Sequence, residues 1–146
     1  MNARLDVGVC REMRISGALG NLSAISGEAR LVSENEVGVG GVSAWWLGSI
    51  DSRSSCSIFF DVVNAHTQAP SSRAGVVQFR TIFDEDCPSH AGKGVARRTV
   101  LRVTTVARPW ANTRTTDLQF DQEAAAVTIA RLASERCGVG SAGPGG

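Results

Sequence analysis

A chain of 146 residues, 42% hydrophobic and with mean hydropathy near zero, is long enough for one soluble globular domain with a core of its own. Lysine plus arginine at 15 against aspartate plus glutamate at 14 leaves a net charge of +1, which excludes a module built to neutralise nucleic-acid phosphates. Cys10, Cys56, Cys87 and Cys137 are scattered with no CxxC pair and no nearby histidine partner, so neither a zinc site nor a disulfide framework is announced, and reduced thiols are expected.

The opening MNARLDVGVCREMR has charges early and no continuous apolar stretch, and no later run is long enough to cross a bilayer, so a chain neither secreted nor integral is expected. From Leu5 to Ile15 the odd positions Leu5, Val7, Val9, Met13 and Ile15 are apolar, the period of a half-buried strand broken only at Arg11. Ser16 to Gly20 and Ser26 to Glu28 supply turn residues. SENEVGVGG, Ser33 to Gly41, reads as a long polar connection, so little regular structure is expected between Gly20 and Gly41. Val42 to Leu47 is a short strand whose alternation sends one of Trp45 and Trp46 inward and the other outward.

SIFFDVVN, Ser57 to Asn64, reads as a central strand with Ile58, Phe60 and Val62 on one face. Val76 to Phe83 repeats that logic with Val77, Phe79 and Phe83, and Arg98 to Arg108 does so with Leu101, Val103 and Ala107 inward. Asp84 to Val95 reads as the exposed loop of the hairpin between them. Asp121 is an N-cap followed by Glu123 in the first turn, and the pattern predicts a helix to about Arg136, stopped by Gly138, with a disordered glycine-rich tail.

Catalytic chemistry finds no footing. His66 and His90 lack the spacing of a nucleophile and base pair and read as surface residues, there is no GxSxG elbow, and Cys87 with His90 lacks two further metal ligands. Gly38, Gly40 and Gly41 fall short of a phosphate-cradling spacing and read as a connector. Asp84, Glu85 and Asp86 lack the alternation of a calcium loop and read as a solvated charge run. No catalytic, cofactor or metal residue is therefore assigned. Arg98, Arg102 and Arg108 share parity on one strand, and with the outward Trp46 they are the candidate contacts for anionic lipid headgroups or an acidic partner.

REMRISGALG (Arg11 to Gly20), SENEVGVGG, the Ala44 and Trp45 pair, FFDVVNAH (Phe59 to His66), VVQFRT (Val76 to Thr81), RVTTVARPWA (Arg102 to Ala111) and FDQEAAA with ARLA (Phe120 to Ala133) together resemble, in order and spacing, the Sec-twenty-three subunit of the COPII vesicle coat. The resemblance runs from about Leu5 to Ala133. It departs from the family in a longer Asp84 to Arg97 loop and in Pro109 before Trp110.

The resemblance implies a mainly β fold, an antiparallel sandwich of the Sec-twenty-three and Sec-twenty-four type followed by one C-terminal helix. Residues 1–111 would form the sandwich, lacking upstream strands, 112–137 the start of the helical domain and 138–146 a disordered tail. Trp110, Trp45, Phe60 and Phe79 would pack the core. The implied partners are the remaining domains of the coat subunit, the sister cargo-binding subunit, the coat's small GTPase and the outer coat, with peripheral membrane contact at endoplasmic-reticulum exit sites and no nucleic acid. The family's zinc finger and its GTPase-stimulating arginine lie in regions this chain does not match, so it is expected to be structural and to carry no enzyme activity of its own. A free-standing sandwich that binds protein through an exposed edge or the Trp46 surface is the alternative.

Overall fold

The computed structural model describes residues 3–63, 73–88, 95–110 and 121–139. The chain divides into two compact units, Met1–Pro109 and Trp110–Gly146. In the first, β1 (Arg4–Val9), β2 (Met13–Leu19), β3 (Ser23–Ser26), β4 (Val32–Gly38), β5 (Ala44–Trp46), β6 (Ser57–Val62), β7 (Ala74–Pro88) and β8 (Val95–Pro109) build a mainly antiparallel β structure. They form a five-stranded sheet ordered β3-β5-β1-β7-β8 and a three-stranded sheet ordered β4-β2-β6. In the second unit the described residues carry one helix, α1 (Gln122–Val139).

The two sheets meet through apolar side chains selected by strand alternation. Leu5 and Val7 of β1, Trp45 of β5 and Val77 of β7 form one buried cluster with Ile15 and Ala18 of β2, and Phe60 and Phe79 pack at its margin. The indole of Trp45 is 0% exposed and its Nε1 donates to the carbonyl of Val39 at 3.2 Å, whereas Trp46 is 42% exposed, as alternation requires. Trp110, where the second unit begins, is half-buried.

Several sequence expectations are corrected. The apolar alternation from Leu5 to Ile15 belongs to two strands in different sheets: Arg11 lies in a turn closed by Met13 N donating to Cys10 O at 3.0 Å, and the chain crosses from one layer to the other there. Ser16 to Leu19 is not a turn but the buried end of β2. Its small residues are needed because β4 runs parallel to β2 at very close range, pairing Gly17 with Val37 and Ala18 with Gly38. Gly17 has φ +145°, and a Cβ there would lie 2.1 Å from the Val37 carbonyl oxygen.

Between Gly20 and Gly41 the chain holds β3, a 3-10 turn at Ala29–Leu31 and β4 rather than an irregular connection. Gly38 and Gly41, at φ 60° and 70°, make a tight turn that feeds β5. Among the described residues β6 is an edge strand of its sheet, not a central one, and Val62 is exposed.

The largest correction concerns β8. Leu101 and Val103, expected inward, are 59% and 52% exposed, and Ala107 is exposed as well. The register explains it. Val77 pairs with Val106, Phe79 with Thr104 and Thr81 with Arg102, and paired residues share a face, so the even positions of β8 lie on the core side. Among the described residues the second sheet has three strands, and Arg98, Arg102 and Thr104 are exposed although they share the core-side face.

Asp121 caps α1 as expected, its Oδ1 accepting from Ala124 N at 2.9 Å. The helix continues through Gly138 instead of stopping there. Val127 and Ile129 are exposed. The expectations for His66, His90 and the 112–120 and 140–146 segments lie outside the described residues.

Candidate functional site

The surface chemistry of the sheet unit is concentrated on the β7–β8 hairpin. β1 pairs with β7 only from Val77 to Ile82, so from Phe83 to Pro88 the described partner of β7 is β8. This arm is held by a ladder of charge. Asp84 pairs with Thr99, Glu85 with Arg98 and Asp86 with Arg97. Thr99 Oγ1 donates to Asp84 Oδ1 at 2.7 Å, Arg98 Nη2 donates to Glu85 Oε1, and Arg97 Nε stands 3.8 Å from Asp86 Oδ1. Glu85 holds the Arg98 guanidinium above its ordinary value, first by the hydrogen bond and then by its charge.

Asp84 to Pro88 and Val95, expected in an exposed loop, belong to β7 and β8 instead, and the acids at 84–86, expected as a solvated charge run, are cross-strand partners. The signal was present in the sequence: Asp84, Glu85 and Asp86 and then Arg97, Arg98 and Thr99 mirror one another about the hairpin.

The four candidate contact residues do not form one surface. Trp46 pairs with Arg4, Arg4 with Ile82 and Ile82 with Leu101, which places Trp46 on the outer face of the five-stranded sheet, the face that also carries exposed Leu101 and Val103 three strand spacings away. Arg98, Arg102 and Arg108 lie on the opposite face. Arg98 is already matched by Glu85, Arg102 stands over the Phe83 ring with its guanidinium carbon 6.0 Å from the centroid, and Arg108 Nη1 donates to the Ala107 carbonyl at 3.3 Å.

On the three-stranded sheet the Asp61 carboxylate of β6 reaches Ser33 and Asn35 of β4, across β2. Ser33 Oγ donates to Oδ2, and Asn35 Nδ2 donates to the same oxygen at 3.2 Å. The Ser33 hydroxyl is the main reason that Asp61 ionises below the ordinary carboxylate value; partial burial opposes it, and Asn35 and then Ser16 assist. Ser16 Oγ is buried and makes no hydrogen bond of full geometry. This strap had no local signature, since Ser33 and Asp61 are 28 positions apart.

Asp51 is also lowered, chiefly by the Ser54 hydroxyl at 2.8 Å and the Arg53 amide at 2.9 Å, in a turn that closes on itself. Beside that turn lies a shallow depression of about 120 Å³, lined by Asn21, Leu47, Ile50 and Cys56 and mostly apolar. Among the described residues no three His, Cys, Asp or Glu side chains converge as a metal site, and no helix is long and apolar enough to cross a membrane. No family model matches the chain.

Proposed function

We propose that this chain is the sandwich region of a coat subunit resembling the Sec-twenty-three subunit, a structural component of the COPII inner coat in transport from endoplasmic reticulum to Golgi. One observation supports this reading above others: the blocks that carry the resemblance coincide with the elements of the fold. REMRISGALG supplies β2, SENEVGVGG supplies β4 and its glycine turn, Ala44 and Trp45 begin β5, Phe59 to Val62 completes β6, VVQFRT lies in β7, RVTTVARP ends β8 and FDQEAAA opens α1. Core residues Ile15, Trp45 and Val77 all fall inside these blocks.

In this reading the unit works through surfaces. It would join the other domains of its subunit and the sister cargo-binding subunit, would sit in the cytoplasm on exit-site membranes, and would contribute no catalytic group to GTP hydrolysis. The test is capture of the tagged chain from its host followed by mass spectrometry. The sister subunit and the small GTPase should be recovered together, and a capture containing neither would reject the assignment. The second reading, a free-standing module that binds protein through an exposed sheet edge, is favoured by the solvent-facing β8 alone.

A further inference from the structure

We infer that the free edge of β8 is a docking site for an extended strand of a partner protein, one that carries carboxylates on one face and apolar or β-branched residues on the other. The inference needs only β8 and its neighbours and stands apart from the coat assignment.

The direction of the β8 backbone groups follows from two hydrogen bonds elsewhere in the sheet. Val7 N donates to Ser43 O at 2.9 Å, which turns the odd positions of β1 toward the β5 side and the even ones toward β7. Cys10 N donates to Val76 O at 3.0 Å, which turns the even positions of β7 toward β1 and the odd ones toward β8. Antiparallel ladders alternate strictly, so β8 bonds β7 through Arg98, Val100, Arg102, Thr104 and Val106. The amides and carbonyls of Thr99, Leu101, Val103, Thr105 and Ala107 then point away from the sheet, and among the described residues β8 has β7 as its sole neighbour. Pro109 falls at an odd position too, where its missing N–H removes no bond to β7.

Natural edge strands are blunted by bulges, central prolines, shortness or lysines. From Thr99 to Ala107 β8 has no bulge, proline or lysine, and its one charge there is Arg102. Its pairing runs without a register shift from Val95 opposite Pro88 to Pro109 opposite Ala74, and Leu101 and Val103 are more than half exposed. Among the described residues this edge is long and unpaired and rich in threonine and valine, the composition that accepts an added strand.

The charge pattern selects its kind. Arg97 and Arg98 already face Asp86 and Glu85. Arg102 stands opposite Thr81 and Arg108 opposite Gly75, and neither forms an ion pair among the described residues. A strand laid along β8 would therefore find on one face two guanidinium groups that have no carboxylate partner among the described residues, Arg102 over the Phe83 ring and Arg108 on the Ala107 carbonyl, and Leu101 and Val103 on the other. Carboxylates opposite Arg102 and Arg108 satisfy the first face, and valine, isoleucine or threonine covers the second. A second copy of β8 brings four more arginines and no acid, so it is the poorer occupant.

The experiment is amide hydrogen exchange followed by NMR on the full chain, with a capped ten-residue peptide that alternates glutamate with valine and threonine. Without peptide, the amides of Leu101, Val103 and Thr105 should exchange fast while those of Arg102, Thr104 and Val106 are protected. With peptide, the first set should become protected, binding should weaken as salt rises, and the same peptide with lysine for glutamate should not bind. Val103→Pro should abolish binding without removing a bond to β7, and Arg102→Glu, at an exposed side chain, should weaken it by about tenfold or more while keeping the fold if the proline variant does not. Unchanged fast exchange at Leu101 and Val103, equal binding of the lysine peptide, or full binding by Arg102→Glu would each overturn the proposal. Protection without peptide that grows with protein concentration would overturn it in favour of a second copy.

Discussion

Replacing Gly17 by alanine tests a close backbone approach of β4 to β2. The added Cβ would lie 2.1 Å from the Val37 carbonyl oxygen and 3.1 Å from Gly40 Cα, roughly 1 Å or more inside the first contact distance, and neither obstacle is a side chain that can rotate away. The residue must also hold φ near +145°, a strain of about 1–3 kcal/mol for a non-glycine residue. Withdrawal of β4 weakens the parallel pairing of Gly17 with Val37 and Ala18 with Gly38, at about 1 kcal/mol for each net hydrogen bond. The expected loss is about 3–5 kcal/mol, a large part of the 5–15 kcal/mol typical of a domain. Gly8→Ala is the control. No atom lies within 4 Å of its Cβ, so it should be neutral or stabilise by up to about 1 kcal/mol through the unfolded chain. Urea unfolding followed by tryptophan fluorescence reads both, as shifts in midpoint at constant slope. A Gly17→Ala loss below about 1 kcal/mol, or one equal to that of Gly8→Ala, would refute the packing of β4 on β2.

Trp45→Ala should cost about 3–5 kcal/mol and red-shift the remaining emission, while Trp46→Ala should cost about 1 kcal/mol or less, because one indole is sealed and its neighbour faces solvent; thermal melts of the two variants decide it. Asp61 ionises below its unfolded value of 3.8, so its contribution is full above that pH and is lost as pH falls through the lower folded value. Asp61→Asn should therefore flatten the acid limb of a stability profile below about pH 4, and an unchanged limb would remove the strap from the account. Asp121→Ala should lower the stability of α1 by about 1 kcal/mol, seen as reduced helical circular dichroism in a thermal ramp, because Ala124 N loses its acceptor.

The parts of this fold that were legible in the sequence are those set by local rules. Alternation at Trp45 and Trp46 required one inward and one outward indole, the periods around Val77 and Val103 located the inner part of the β7–β8 hairpin but not its extension to Pro88 and Val95, and Asp121 marked the start of α1 to within a residue. What stayed hidden depends on partners distant in sequence. Small residues from Ser16 to Ala18 suggest a turn by composition, yet they are small because β4 presses on them. Both parities of β8 carry apolar side chains, Leu101 and Val103 on one and Val100 and Val106 on the other, so hydrophobicity alone could not say which face the core side claims; the register with Val77 and Phe79 decides it. The same inversion moved Arg98, Arg102 and Arg108 away from Trp46, which separates the arginines as a binding feature from the apolar outer face.

The most direct test of the coat assignment is the native mass of the species that carries the RVTTVARPWA peptide in its host, measured on a gently prepared extract together with the proteins that co-elute. The account predicts a species several times heavier than the 15.3 kDa of this chain, travelling with the sister cargo-binding subunit. A species near 15.3 kDa that travels alone would contradict it.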